Sequence, residues 1–152
     1  MNDPRASKKS QAALMSTADE TEASFYEAMQ QGDLDRMMAT WADDEEIACV
    51  HPGGPRVVGT VAVRAGFEAV FHHGPVQVHV HHVRRFETAV CAVHLVTERV
   101  QAMTDKGLQT AYVIATNVFV RSNQGWRMVA HHASAGLPQD LPDITASQAT
   151  LH

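Results

Sequence analysis

Apolar positions along the chain follow a helical rhythm in its first half and a strand-like rhythm in its second. Ala23, Phe25, Tyr26 and Met29 recur at roughly helical spacing, which puts them on one face. Thr17 or Asp19 stands where that helix needs a cap, and Gly32 where it should end. Asp33 caps a second predicted helix, DLDRMMATWADD, with Leu34, Met37, Met38 and Trp41 as its inner stripe, so the two form a helical hairpin. Ile47 to Val50 suit a short strand that His-Pro-Gly-Gly-Pro breaks, and Val57-Val58 begins another before Gly59. Thr60 then caps a third helix carrying Val63, Phe67, Val70 and Phe71, stopped by His-His-Gly-Pro.

From Pro75 onward the pattern predicts four long strands, VQVHVHHVRRFET, AVCAVHLVTERVQAM, LQTAYVIATNVFVRS and GWRMVAHHASA, joined by short polar turns as an antiparallel meander. Helices followed by strands describe an α+β layer fold: a strongly curved, mostly antiparallel sheet whose concave face is covered by the N-terminal helices, trapping a pocket. The domain is expected over residues 18–137, between a mobile lead (1–17) and a loose, proline-containing tail (138–152).

Composition narrows the function classes. A formal charge of −5 argues against a phosphate-tracking basic face, hence against nucleic acid as partner. No stretch has the apolar run of a signal peptide or a membrane span, and Cys49 and Cys91, both in apolar strands, read as buried thiols; a cytoplasmic setting without membrane partners is expected. Ten histidines against twelve Lys plus Arg make imidazole the most abundant titratable chemistry near neutrality.

FYEAMQQGDLDRMMATWADDEEIACVHPGGPRVVG and ATNVFVRSNQGWRMVAHHASAG resemble the nuclear transport factor 2-like superfamily, in its SnoaL-like branch, over Ala18 to Leu137. The resemblance implies a cystatin-like cone. That superfamily includes isomerases, polyketide cyclases, dehydratases and association domains, so it does not by itself fix an activity. The acidic pair of steroid isomerases and the aspartate base of polyketide cyclases have no convincing counterpart, although Asp43 and Asp44 lie near a helix end where a mouth is expected.

Candidate chemistry centres on histidine. His131 and His132 are neighbours in a strand, so only one faces inward. Counting by twos puts His132 with Trp126, Met128 and Ala130 and His131 with Arg127 and Val129, two mixed faces; the resemblance to association domains implies His132 as the inward one, and a core histidine held by one hydrogen bond is the plain alternative. His51, in CVHPGG, falls by the cavity according to the resemblance, and with His132 makes a candidate acid–base pair. Asn117 and Phe119 share a strand face, and Asn117 stands where association domains carry a pocket arginine. Trp41 and Tyr26 are candidate pocket walls, and Arg99 a candidate anchor for an acidic ligand. His79, His81 and His94 are a weaker metal-ligand set, set against an exposed or dimer-facing sheet. These readings lead to a homodimer, formed through the outer sheet face, that binds a small apolar molecule; if catalytic, it is a cofactor-free isomerase, dehydratase or cyclase acting on a carbonyl compound. The alternative is a non-catalytic association module.

Overall fold

A computed structural model describes residues 15–136 and 138–146. The expected lead falls largely outside the described residues, as does the end of the tail. Helix α1 (Ala18–Gln31) starts at Thr17, whose Oγ1 accepts from Glu20 N–H at 3.1 Å, while the Glu20 carboxylate accepts from Ser16 N–H at 2.8 Å. It stops at Gly32, which takes φ +63 and lets Gly32 and Asp33 N–H close on the last helical carbonyls. Helix α2 (Leu34–Thr40) is capped by Asp33, as its sequence implies, but ends earlier than the apolar pattern suggests. Trp41 turns extended and pairs with Met128, and Ala42 N–H donates to Met128 O at 2.9 Å. A sheet contact thus replaces the last helical turn.

Strands β1 (Ala48–Val50) and β2 (Arg56–Val58) form a short hairpin around the Pro-Gly-Gly turn. Helix α3 (Thr60–His72) follows Gly59 at φ +92; Thr60 is inside the helix and does not cap it, its hydroxyl donating instead to Asp43 Oδ1 at 2.9 Å. The long strands β3 (Gln77–Glu87), β4 (Cys91–Thr104), β5 (Gly107–Ser122) and β6 (Gly125–Ala135) are the expected antiparallel meander. The sheet order is β2-β1-β6-β5-β4-β3, with β1 and β6 parallel, so the sheet is mixed and open.

The helices cover one face. Phe25, Met37, Trp41, Phe67, Val78, Val96, Phe119 and Met128 are buried between the two layers. Phe25 stacks edge-on against Tyr26 and Phe67, at centroid distances of 4.9 and 5.9 Å. Two bulges interrupt the strand alternation, at His82-Val83 in β3 and at Val129 in β6. Each adds a residue on one strand and bends it. Both cysteines are free thiols. Among the described residues no helix is long and apolar enough to cross a membrane.

Candidate functional site

The concave face carries a line of polar side chains inside an otherwise apolar layer. Four come from alternate inward positions of the long strands, His94 and Glu98 on β4, Asn117 on β5 and His131 on β6; two more, Glu22 and Tyr26, lie one helical turn apart on α1. Tyr26 Oη donates to Glu98 Oε2 at 2.6 Å. Asn117 Nδ2 donates to Tyr26 Oη at 3.0 Å and to Glu22 Oε2 at 3.1 Å. With both amide protons committed, Asn117 Oδ1 is the acceptor for His131 Nδ1–H at 2.6 Å. This fixes the His131 tautomer and leaves the Nε2 lone pair free, 3.9 Å from Glu98 Oε2.

Electrostatics split this layer in two. Burial, reinforced by Glu22, holds the Glu98 carboxyl up at about 7, against the opposing hydrogen bond from Tyr26. Burial and then the neighbouring His51 and His132 push His131 down to about 3, so it is a neutral imidazole. Burial, then the Glu98 charge, raises the Tyr26 phenol. On the other side of Asn117, burial lowers His94, but Glu22, Glu87 and Asp19 together outweigh it and its affinity for a proton rises. His94 Nδ1 is 3.0 Å from Glu22 Oε2, and Nε2 is 3.2 Å from Glu87 Oε1. The Asn117 amide therefore joins His94, whose proton affinity its carboxylate neighbours raise, to a half where the Glu98 carboxyl is held up at about 7.

His51 stands at the outer end. It is half-buried at the end of β1, edge-on to Phe67 at 4.9 Å, and 6.4 Å from His131 between ring centroids. Burial lowers its proton affinity. Cys49 Sγ lies 3.7 Å from His51 Nε2, yet burial and the Glu98 charge push the thiol up to about 12, so the pair is not a thiolate–imidazolium couple. Trp41 is buried against Phe25 and Phe67, and its Nε1–H has no partner among the described residues.

Most of the residues singled out from sequence fall in or beside this layer: Tyr26, Trp41, His51, Asn117 and Phe119, the last packed on His94 at 5.0 Å. Two do not. His132 is exposed on the outer face opposite Thr116, whereas His131 is the inward histidine at 3% exposure. The cause is Val129: Phe119 pairs with Met128 but Val118 with Ala130, so the extra residue inverts the parity of everything after it. Arg99 is the strand neighbour of inward Glu98 and projects to the opposite, convex side. The metal set fails on the same ground, since His79 and His81 share a face with Arg99 and Thr97 while His94 points inward. Among the described residues, groupings able to hold a metal are instead His81 with His82 and Asp140, and Asp19 with Glu87 and His94. Glu22, Glu98 and inward His94 were missed as site residues. Their signal was a charged or imidazole side chain at an inward-parity position: His94 and Glu98 sit four apart in β4, in alternation with buried Ala92 and Val96, and Glu22 lies beside the Phe25-Tyr26 stripe.

This architecture, helices on one face of an open six-stranded mixed sheet, is the cystatin-like α+β class. The SnoaL-like domain model matches residues 19–138, and the chain belongs to that family, within the nuclear transport factor 2-like superfamily. A crystal structure from Thiobacillus denitrificans, provisionally assigned as a calcium/calmodulin-dependent protein kinase type II association domain, is 35% identical; the match covers 82% of this chain and 98% of that one, with a TM-score of 0.74. A provisionally assigned dehydratase of the same superfamily from Streptomyces avermitilis is 27% identical over 85% of this chain and 99% of its own, with a TM-score of 0.72. The S. rosetta kinase hub shares the fold at 22% identity, covering 83% of this chain and 95% of that one, with a TM-score of 0.62. No curated protein matches the chain.

Proposed function

We propose that this domain binds a small, mostly apolar carbonyl compound between its helices and sheet and moves a proton on it, as an isomerase, dehydratase or cyclase does. The observation that carries this reading is Glu98: a carboxyl at about 7, hydrogen-bonded by Tyr26 inside an apolar layer. A group that takes and returns a proton most effectively has a pKa near working pH, and Glu98 meets that condition where His131, at about 3, does not. The expected histidine acid–base pair of His51 and His132 therefore gives way to Glu98 as proton carrier, with His131 Nε2 as a hydrogen-bond acceptor for substrate and His51 at the entrance. In the ionised form Glu98 removes a proton alpha to the carbonyl, and the electron pair moves onto the carbonyl oxygen. Protonated Glu98 then returns the proton at another carbon or to a departing hydroxyl. Trp41 Nε1–H, without a partner among the described residues, is available to the developing oxyanion.

The test is proton exchange itself. Cyclic and unsaturated ketones incubated in D2O are expected to exchange their alpha protons in the presence of the protein, followed by NMR. Glu98→Gln should slow the catalysed exchange by roughly 10²–10⁴-fold, the usual contribution of a general acid–base. Exchange that persists in that variant would remove Glu98 from the role.

A second reading, an association module, is favoured by apolar side chains left exposed on the outer sheet face. Phe86, Leu95 and Ile114 are 71%, 46% and 54% exposed on its convex side. Such a face suits a homodimer, in agreement with neighbours described as association domains and a hub. The two readings use opposite faces of one sheet and are compatible.

A further inference from the structure

β3 does not run evenly past His81. Its register with β4 steps from His81 opposite Thr97 to Arg84 opposite Leu95, leaving His82 and Val83 together across from Val96. His82 adopts φ +54, a left-handed conformation that a residue with a Cβ enters only at a cost. In a regular strand adjacent imidazoles diverge to opposite faces. Here both reach the same carboxylate oxygen: His81 Nε2 is 3.2 Å and His82 Nε2 3.3 Å from Asp140 Oδ2, with ring centroids 4.6 Å apart. Asp140 belongs to the segment after β6, which is also tied down by an Arg84–Asp143 ion pair. His81 Nε2 is buried, and although it is close to Asp140 it has no aligned hydrogen bond among the described residues. An ion pair accounts for one imidazole on a carboxylate; two converging on one oxygen, one of them without a usable hydrogen bond, resemble ligands arranged around a cation.

The spacing supports that. Metal–nitrogen bonds of about 2.0–2.1 Å and metal–oxygen bonds of about 2.0–2.2 Å in a tetrahedron put neighbouring donor atoms about 3.3–3.5 Å apart. The two nitrogen–oxygen separations are 3.2 and 3.3 Å, and all three donor atoms lie within 4.8 Å of one another. A groove of about 520 Å3, lined among others by His82, Arg84 and Asp140, opens beside them and gives a fourth position to water or an incoming ligand. The other cluster, Asp19 with Glu87 and His94, is less well gathered: Arg85 Nε donates to Asp19 Oδ1 at 2.9 Å, and His94 Nε2 is hydrogen-bonded with Glu87 Oε1 at 3.2 Å but lies 4.0 Å from Asp19 Oδ1.

We propose that His81 Nε2, His82 Nε2 and Asp140 Oδ2 bind a divalent transition-metal ion, zinc being the best fit to two imidazoles and a carboxylate, and that the ion clasps the segment after β6 to the outer sheet. Imidazole donors select zinc, copper or nickel over magnesium and calcium. The site is separate from the Glu98 layer, on the opposite face of the sheet.

The experiment is titration of the full, untagged chain with Zn2+ by calorimetry and with Co2+ by visible absorption. One equivalent is expected to bind, with intense four-coordinate Co2+ bands, and His82→Ala and Asp140→Ala should each weaken Zn2+ by ~10-fold or more. His79→Ala, an exposed histidine on the same strand outside the cluster, should leave binding unchanged. Circular dichroism checks that each variant is folded; Asp140 lies in an exposed segment outside the sheet, so its variant keeps the fold. Absence of saturable binding in the wild type, a six-coordinate Co2+ spectrum, or equal binding in the His82 and Asp140 variants would each overturn the site.

Discussion

At the scale of single residues, Glu98 and His131 exert opposite pulls on stability. Glu98 ionises at about 7 in the folded chain and at 4.5 when free, so the folded state binds the extra proton and stability falls as pH rises between those values. His131 is protonated at about 3 when folded and at 6.5 when free; stability therefore rises with pH across that window. Each slope is about 1.4 kcal/mol per pH unit. Between pH 4.5 and 6.5 the two cancel, which predicts a plateau, with loss on the acid side from His131. Above 6.5, Glu98 and the raised His94 both withdraw stability. Urea denaturation across pH 4–8 checks this: Glu98→Gln should convert the plateau into a continuous rise up to pH 6.5 and be more stable than wild type at pH 8, by about 1–3 kcal/mol. A plateau unchanged in the variant would show that Glu98 does not carry that proton.

At the scale of elements, the turn between α1 and α2 shows what backbone geometry alone contributes. Gly32 sits at φ +63, and a Cβ there would meet Pro75 at 3.5 Å, an ordinary contact. Gly32→Ala should therefore cost only the left-handed backbone penalty, about 1 kcal/mol, read as a shift in the urea midpoint. The same distinction explains what was legible in sequence. α1, its caps and the four long strands follow from periodicity and turn residues, because those signals are local. The end of α2 was not legible, since Trp41 leaves the helix to pair with Met128, a strand 87 positions on. Nor was the facing of His131 and His132, because alternation is readable only while the strand is regular, and the bulge at Val129 leaves no mark in composition. Tyr26 and Asn117 face the layer that their spacing implies because their own helix and strand are unbroken; Arg99 faces the other way because its outward parity follows from inward Glu98 beside it.

At the scale of the whole molecule, the exposed apolar side chains of the convex face make their own forecast. Ile114 lies near the middle of that face, opposite Thr97 and Ser134, so Ile114→Lys places a charge where a partner's sheet is proposed to pack. Analytical ultracentrifugation should find the wild type dimeric and the variant monomeric with an unchanged circular dichroism spectrum. A wild-type monomer would withdraw the dimer. Inside, the contacts Tyr26–Glu98, Asn117–Tyr26 and Asn117–Glu22 join residues 72, 91 and 95 positions apart. A chain cut in the loop before β3 would thus hold half of the proposed acid–base layer on each piece, inert alone and restored on mixing, so that recovered alpha-proton exchange would count how many fragments have found one another.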